Sequence, residues 1–324
     1  MFVFRFGVRV VASGVRVDAS ERLSRRQFVC VGASALGAAL LPSAALARQV
    51  PATITTADLG GATLLQGAGC NVIAMAGPDG ALMIDGGLAA NAEPLVAAVR
   101  RTTGASRIHT LINTHWHPEQ TGANELVGKS GATIFAHEKT KLAESNTVYA
   151  SALFTGRLAP LATAGRPTKT TRGDGSMDFA GQAVDYGYMP AAHTDGDLYV
   201  HLPKLNVMAV GGVASAQGWP LLDYRNGAWL GGRVRALQRL AMIVNPDTRV
   251  VPADGRVMTG SEIVRQRDMY LKLFETMIGY LNMGLGPEDA VQRKPLAAYE
   301  AEFGDASAFT YGALKSMMIA YVPD

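Results

Sequence analysis

The chain has 324 residues, 48% hydrophobic and 18% charged, a balance that provides a sizeable buried core and excludes a disordered or collagen-like protein. The net charge of +3 is uneven: residues 1–47 hold six arginines against Asp18 and Glu21, and the remainder carries 24 basic against 25 acidic side chains. A near-neutral body lacks the basic footprint that nucleic-acid binding requires, so no nucleic-acid partner is expected.

In chain order, Ser24-Arg25-Arg26-Gln27-Phe28-Val29 leads into an uncharged run from Phe28 to Leu41, then Pro42 and Ala45-Leu46-Ala47. Basic start, short apolar middle and small-residue end read as a signal peptide over residues 1–47. The run falls short of the ~20 residues a bilayer span needs and is rich in Gly and Ala, so no stable membrane anchor is expected after cleavage. The arginine pair resembles the twin-arginine signal, which implies the twin-arginine export machinery as a partner and a periplasmic or secreted location. Cys30 lies in this leader. Cys70 is then the single mature cysteine and forms no internal disulfide; a small buried side chain is its ordinary role.

The mature domain, residues 48–324, begins with short strands at Thr53–Thr56, Ala62–Leu65, Asn71–Ala76 and Ala81–Ile84, the last two joined by the turn Gly77-Pro78-Asp79-Gly80. Leu95, Val96, Ala98 and Val99 give Asn91–Arg101 a helical apolar face, and Ile108–Ile112 reads as a buried strand. A helix near Asn124–Gly128 and a strand at Thr133–Ala136 follow. Residues Thr155–Asp174, rich in Gly, Pro, Thr and Arg, read as a surface loop. Strands resume at Met177–Phe179, Ala183–Met189, Leu198–Leu202 and Val207–Val210, then a helix over Arg233–Val244, a strand at Arg249–Val251, and C-terminal helices from about residue 260 onward. Two halves, each of strands followed by helices, predict an α/β fold of αββα sandwich type.

The chemistry is concentrated in Ile112-Asn113-Thr114-His115-Trp116-His117-Pro118-Glu119-Gln120-Thr121-Gly122-Ala123-Asn124, directly after a buried strand. Two histidines at i and i+2 at a strand end aim both imidazoles at one point, as a tetrahedral metal site requires. Alone, the pair is weak evidence, and two partly exposed loop histidines is the favoured reading. The stretch resembles the His-x-His-x-Asp-His-Thr-Gly signature of the metallo-β-lactamase superfamily. Leu82-Met83-Ile84-Asp85-Gly86-Gly87, Ala192-His193-Thr194-Asp195-Gly196-Asp197-Leu198 and Val250-Val251-Pro252-Ala253-Asp254-Gly255 resemble further blocks of the family, in the right order over about residues 62–256.

The resemblance implies a four-layer metallo-β-lactamase fold and a first metal held by His115, His117 and His193. At the positions that would hold a second metal the chain has Glu119, Gln120, Gly211 or Gly212, and Asp254, so a dinuclear zinc site is not expected. Three histidines and a water suffice for one zinc ion, whose bound water reaches a pKa of about 7. Glu119 is the expected catalytic proton acceptor. Asp254 is placed to hydrogen-bond a ligand imidazole, and Gln120 and Asp85 are the remaining positions near the metal.

Asp195 and Asp197 read as turn caps, His109 and His201 as strand or loop positions near the surface, and His137 as a helix start; Trp116 and Trp219-Pro220 are candidates for pocket walls, with aromatic packing the commoner role. No phosphate loop, Gly-x-Ser-x-Gly elbow or dinucleotide fingerprint is present. The implied function is an exported hydrolase acting through a single zinc-bound hydroxide on a small carbonyl compound: a lactam, lactone, ester or thioester. The alternatives are a non-catalytic periplasmic binding or accessory protein that kept the fold and, ranked last, an iron-dependent oxidoreductase using Glu119 as a ligand.

Overall fold

The computed structural model describes residues 53–151 and 156–321; the leader, with Cys30, lies outside the described residues. The first sheet has seven strands in sequence order: β1 (Thr55–Asp58), β2 (Thr63–Gln66), β3 (Val72–Met75), β4 (Ala81–Ile84), β5 (Ile108–Ile112), β6 (Thr133–His137) and β7 (Lys169–Thr171). Neighbours from β1 to β4 are antiparallel, and those from β4 to β7 are parallel. The parallel pairs need crossovers, which carry helices α1 (Ala92–Thr103), α2 (Pro118–Thr121), α3 (Asn124–Lys129) and α4 (Glu138–Ser145).

The second sheet contains β8 (Gly175–Phe179), β9 (Gln182–Met189), β10 (Asp197–Leu202), β11 (Val207–Gly211), β12 (Arg249–Pro252) and β13 (Met258–Thr259), in spatial order from β13 down to β8. Helix α5 (Leu230–Ile243) joins the parallel pair β11 and β12. Four helices end the chain: α6 (Gly260–Asn282), α7 (Pro287–Arg293), α8 (Glu300–Phe303) and α9 (Ser307–Tyr321). Thr259 and Glu262 form a reciprocal capping box that starts α6.

Strand geometry sends alternate side chains to opposite faces, and here both faces are covered. Leu64, Ile73, Met75, Leu82 and Ile84 meet Val200, Leu202, Val207, Ala209 and Val251 between the sheets. Their sequence neighbours Leu65, Val72, Ala74 and Met83 turn outward onto Leu95 and Val99 of α1. Met208, Val210 and Val250 likewise turn outward onto Leu237 and Leu240 of α5 and Ile263 and Tyr270 of α6. Apolar faces on both sides of each sheet produce the expected αββα layering, because each outward face is stable only under a helix.

The strands were legible where they are buried and less so where they are exposed. β1 is exposed along its length and lies two residues beyond its expected start, since no burial pattern marks it. The region expected to be a loop at Thr155–Asp174 contributes β7, whose threonines and lysine pair with β6 through backbone hydrogen bonds. The two-residue strand β13 was too short for any periodicity to show. His137 ends β6 and caps α4, its Nδ1 accepting from the Lys139 amide at 3.2 Å, as a helix-start residue should. His109 and His201 are half-buried strand positions on β5 and β10.

Glu144 of α4 is 4% exposed, and neither carboxylate oxygen has a hydrogen-bond partner. Burial pushes its pKa from 4.5 up to about 9. The folded state therefore keeps a proton that the unfolded chain has released, and the stability this provides is lost as pH rises through that window. Glu144→Gln, which removes the charge, is expected to melt several degrees above wild type near pH 8, with the gap closing toward pH 5. Thermal melts followed by circular dichroism at both pH values check it; a gap independent of pH would refute the assignment.

Candidate metal centre

The site lies at the ends of β5, β9 and β11, where three loops converge. β5 runs into Asn113, whose amide donates to the Phe135 carbonyl at 2.9 Å and so prolongs the pairing with β6. The Asn113 and Asn124 side chains exchange hydrogen bonds of 3.1 and 2.9 Å, closing the loop between them. Gly122 fits there because its backbone lies against that of Gly87–Ala89: a Cβ would stand 2.1 Å from the Ala89 nitrogen. Its amide donates to the Gly87 carbonyl at 2.8 Å. Thus the Thr121-Gly122 pair noted in the sequence is a packing requirement that locks the histidine loop to the loop after β4.

Asp85 occupies the turn after β4 in a left-handed conformation, φ 66°. Its carboxylate accepts from the Thr114 amide at 2.8 Å and from the Thr114 hydroxyl at 2.8 and 3.1 Å. Burial raises the Asp85 pKa to about 7, with the Thr114 hydrogen bonds opposing the rise. The Thr114 carbonyl receives the Leu198 amide at 2.8 Å, tying the first sheet to β10 of the second. His193 sits in the turn before β10. There the Asp197 carboxylate accepts from the His193 amide at 2.6 Å and from the Thr194 amide and hydroxyl. Asp197 is the turn cap the sequence suggested; burial raises its pKa to about 6.

These elements bring His115, His117 and His193 together, at 1%, 0% and 6% exposure, with one ring nitrogen of each within 4.8 Å of the others. Every outer nitrogen meets an acceptor. His115 Nδ1 lies 3.0 Å from the Thr114 oxygen, whose own hydrogen is given to Asp85. His117 Nε2 lies 3.1 Å from Asp223 Oδ2, and His193 Nδ1 lies 2.9 Å from the Leu221 carbonyl. A carboxylate and a carbonyl only accept, so each ring carries its proton outside and its lone pair inside.

The inward nitrogens are consequently His115 Nε2, His117 Nδ1 and His193 Nε2. His115 Nε2 has no hydrogen-bond partner, and His193 Nε2 faces His117 Nδ1 at 3.0 Å. Two lone pairs at that distance repel unless a cation lies between them. Burial, reinforced by the neighbouring imidazoles, holds His115 and His193 well below the usual histidine pKa, favouring the neutral form that binds metal. A buried three-nitrogen donor set with an orphaned member fits a borderline-soft divalent cation.

Asp223 was not found from the sequence. It follows Leu221-Leu222 on an irregular segment with no motif to mark it, yet it is fully buried and accepts from Ser151 at 2.8 Å and Asn226 at 2.9 Å as well as facing His117. Its amide donates to the His193 carbonyl at 3.1 Å, so one residue braces two of the three histidines. Arg233 of α5 was equally unmarked. Fully buried, its guanidinium donates to the carbonyls of Gly212, Val213 and Leu221, the last being the oxygen that orients His193.

The other expected residues surround a pocket of about 410 Å³ that reaches His115 and His193. Glu119 lines it, Oε1 standing 3.9 Å from His117 Nδ1. Gln120 lines it too, fully buried, with both side-chain amide atoms unpartnered. Asp254 is exposed at the pocket rim; the carboxylate that hydrogen-bonds an imidazole is Asp223, which corrects the role expected for Asp254. Trp219 and Pro220 line the pocket, and Trp219 also packs on Phe303 and Phe309. Trp116 takes the packing role: it is buried behind His117, ring centroids 4.5 Å apart, and does not line the pocket.

At Gly212 a Cβ would stand 2.3–2.5 Å from the His193 ring, and at Gly211 it would stand 2.7 Å from the Thr114 oxygen. The His193 ring thus occupies the space a side chain at 212 would enter.

The fold and this donor set define a protein of αββα architecture with a three-histidine group that could hold a metal ion. The sequence profile of the metallo-beta-lactamase superfamily matches residues 65–256, and the chain belongs to that superfamily. Among solved structures it is similar to a metallo-beta-lactamase from Pontibacter korlensis, with 19% identity, 67% of this chain and 93% of that one covered, and a TM-score of 0.50. It is also similar to the inverting sec-alkylsulfatase Pisa1 from Pseudomonas sp., at 16% identity and TM-score 0.62, over 84% of this chain and 50% of that one. The DIM-1 metallo-beta-lactamase matches at 16% identity and TM-score 0.52, over 68% of this chain and 97% of its own. At these identities the likeness is one of fold. No curated protein matches the sequence.

Two substitutions test the site's construction. Asp223→Asn, which keeps shape and removes the charged acceptor, is expected to weaken zinc binding by about 10- to 100-fold. Gly212→Ala, which drives a methyl into the His193 ring, is expected to abolish it with the far-ultraviolet spectrum unchanged. Competition titrations against a chromophoric chelator measure both.

Proposed function

We propose that this chain is an exported hydrolase that holds one zinc ion on His115 Nε2, His117 Nδ1 and His193 Nε2 and cleaves a small carbonyl compound such as a lactam, lactone, ester or thioester. The observation that carries this reading is the fixed inward direction of three lone pairs in a buried site beside a pocket. When bound, the ion would supply Lewis acidity that makes water nucleophilic near neutral pH. The twin-arginine-type leader supports delivery of the folded protein to the periplasm or beyond.

The chain's own residues divide the remaining work. Glu119, beside the His117 ring at the pocket wall, accepts the proton of the attacking water and returns it to the leaving group. Asp223 and the Leu221 carbonyl hold two rings in the ligating tautomer, and Thr114, fixed by Asp85, holds the third. Trp219 and Pro220 form the apolar wall against which the rest of the substrate rests. One ion is preferred to two because Gly211 and Gly212 offer no ligand and Asp254 stands at the rim.

Metal content by mass spectrometry tests the reading on protein purified without chelators and supplied with zinc, beside His193→Ala. About one zinc per chain, lost in the variant and accompanied by hydrolysis of at least one class of ester, lactone or lactam, is the expected result. Metal absent from the wild type would overturn the hydrolase reading and favour a non-catalytic binding protein.

A further inference from the structure

Two large apolar side chains, one from each half of the fold, border the pocket beside the three histidines: Leu88 and Trp219. Leu88 follows β4 and is 40% exposed. Its amide donates to the Ala68 carbonyl at 2.8 Å, and its side chain lies against Gly69, where a Cβ would stand 2.5 Å from Leu88 Cγ. Trp219, in the segment between β11 and α5, is half-buried. Its Nε1 donates to the Gly304 carbonyl at 2.8 Å, and its ring packs on Phe303 and Phe309 at centroid distances of 5.0 and 5.3 Å. From α6, Gln266 pins the same segment, its amide nitrogen donating to the Ser215 carbonyl at 2.6 Å and its oxygen accepting from the Ser215 amide at 3.4 Å.

Little of the wall offers a polar group to a bound molecule. The Ser215 hydroxyl is committed to Gln217, donating to its carbonyl at 2.5 Å and accepting from its amide at 3.2 Å, and the Gln120 amide atoms are closed off from solvent. Gln217 and Asp254 are exposed, and Glu119 stands beside His117. Leu88, Ala214, Trp219 and Pro220 present carbon. Side chains held in place before anything binds form a preorganised surface, and apolar area removed from water stabilises a complex in proportion to its extent. That gain does not depend on charge, so it adds to whatever an ion on the three histidines contributes. The elements that hold Trp219 and Ser215 lie beyond residue 256, where the superfamily match ends. The wall is thus shaped by a part of the chain that the superfamily pattern does not specify.

We propose that the site prefers acyl compounds carrying a bulky apolar group, aryl or branched alkyl, next to the carbonyl, that Leu88 and Trp219 receive this group, and that the C-terminal helices set the preference by fixing Trp219. The inference rests on the metal-centre reading above for where the carbonyl sits, and adds the identity of the group beside it. A short or hydrophilic acyl group would reach the ion equally well and leave the carbon of Leu88 and Trp219 in water.

Titration calorimetry on the zinc-loaded full chain reads the preference with hydroxamates, whose two oxygens chelate zinc. The probes are acetohydroxamate, phenylacetohydroxamate, and a hydroxamate of similar length ending in a vicinal diol. The phenyl compound is expected to bind roughly tenfold more tightly than acetohydroxamate, as burial of on the order of 50 Å² of apolar surface provides, and the diol to gain little. Leu88→Ser, at an exposed position, and Trp219→Ala are each expected to cut the ratio of those two affinities to roughly threefold. Phe309→Leu, which removes a ring packed on Trp219 and keeps the core filled, is expected to lower the ratio as well. A ratio near one in the wild type, an equal gain from the diol, or a ratio that neither Leu88→Ser nor Trp219→Ala lowers would overturn the proposal while acetohydroxamate binding upholds the metal centre. An unchanged ratio in Phe309→Leu would overturn the part given to the C-terminal helices. Zinc-loaded protein that binds no hydroxamate, acetohydroxamate included, would overturn the metal-centre reading and this inference with it.

Discussion

Everything at the centre of this molecule depends on where three imidazole protons sit. A histidine offers a lone pair on one nitrogen only if the other is protonated, and that choice is made by the acceptor behind the ring. Thr114, Asp223 and Leu221 supply those acceptors from two segments far apart in the chain. Each acceptor is itself fixed: Thr114 by Asp85, Asp223 by Ser151 and Asn226, Leu221 by the Arg233 guanidinium. The donor set is therefore a property of the assembled fold. In water each ring would sample both tautomers and protonate near neutral pH, while here burial and neighbouring rings hold His115 and His193 neutral.

The same constraint explains the unusual backbone near the site. Asp85 takes a left-handed conformation, which costs a non-glycine residue on the order of 1 kcal/mol, and in return its carboxylate caps Thr114 with three contacts. Gly122 and Gly212 have no room for a side chain, the first because two loops touch and the second because the His193 ring is already there. Both sit where the αββα layers end and the loops must pack on one another instead of on a helix.

How much of this was readable in the sequence follows from the kind of signal each part leaves. Strands buried on both faces, such as Ala81–Ile84 and Val207–Gly211, write themselves as continuous apolar runs bounded by Gly, Asp or Pro, and they were found. The exposed β1 and the polar β7 leave no such trace, because backbone pairing alone holds them in the sheet. His115 and His117 were visible as a spaced pair; His193 became a partner only through the resemblance of its block. Asp223 and Arg233 were invisible for a physical reason: their contacts to the site, to His117 at 106 residues' separation and to Leu221 at 12, span irregular chain that has no period. Asp254 shows the converse error, since a carboxylate in the right block was taken for an imidazole partner when its actual position is the solvent-facing rim.

The pocket carries the consequence furthest. The net field over the cavity is set chiefly by whatever ion the inward nitrogens hold and by Glu119 and Asp254. Placing Glu119 3.9 Å from His117 Nδ1 and Asp254 at the rim separates the two negative charges, one beside the inward lone pairs and one facing arriving molecules. A charge near the nitrogens is largely neutralised by a cation bound there, while the rim charge is farther from it and exposed to partners from solvent. Gln120, fully buried with an unpartnered amide, belongs to the same pocket wall. Because the acceptors that orient the three rings lie behind them, the pocket wall can change without rebuilding the histidine cluster that the fold holds in place.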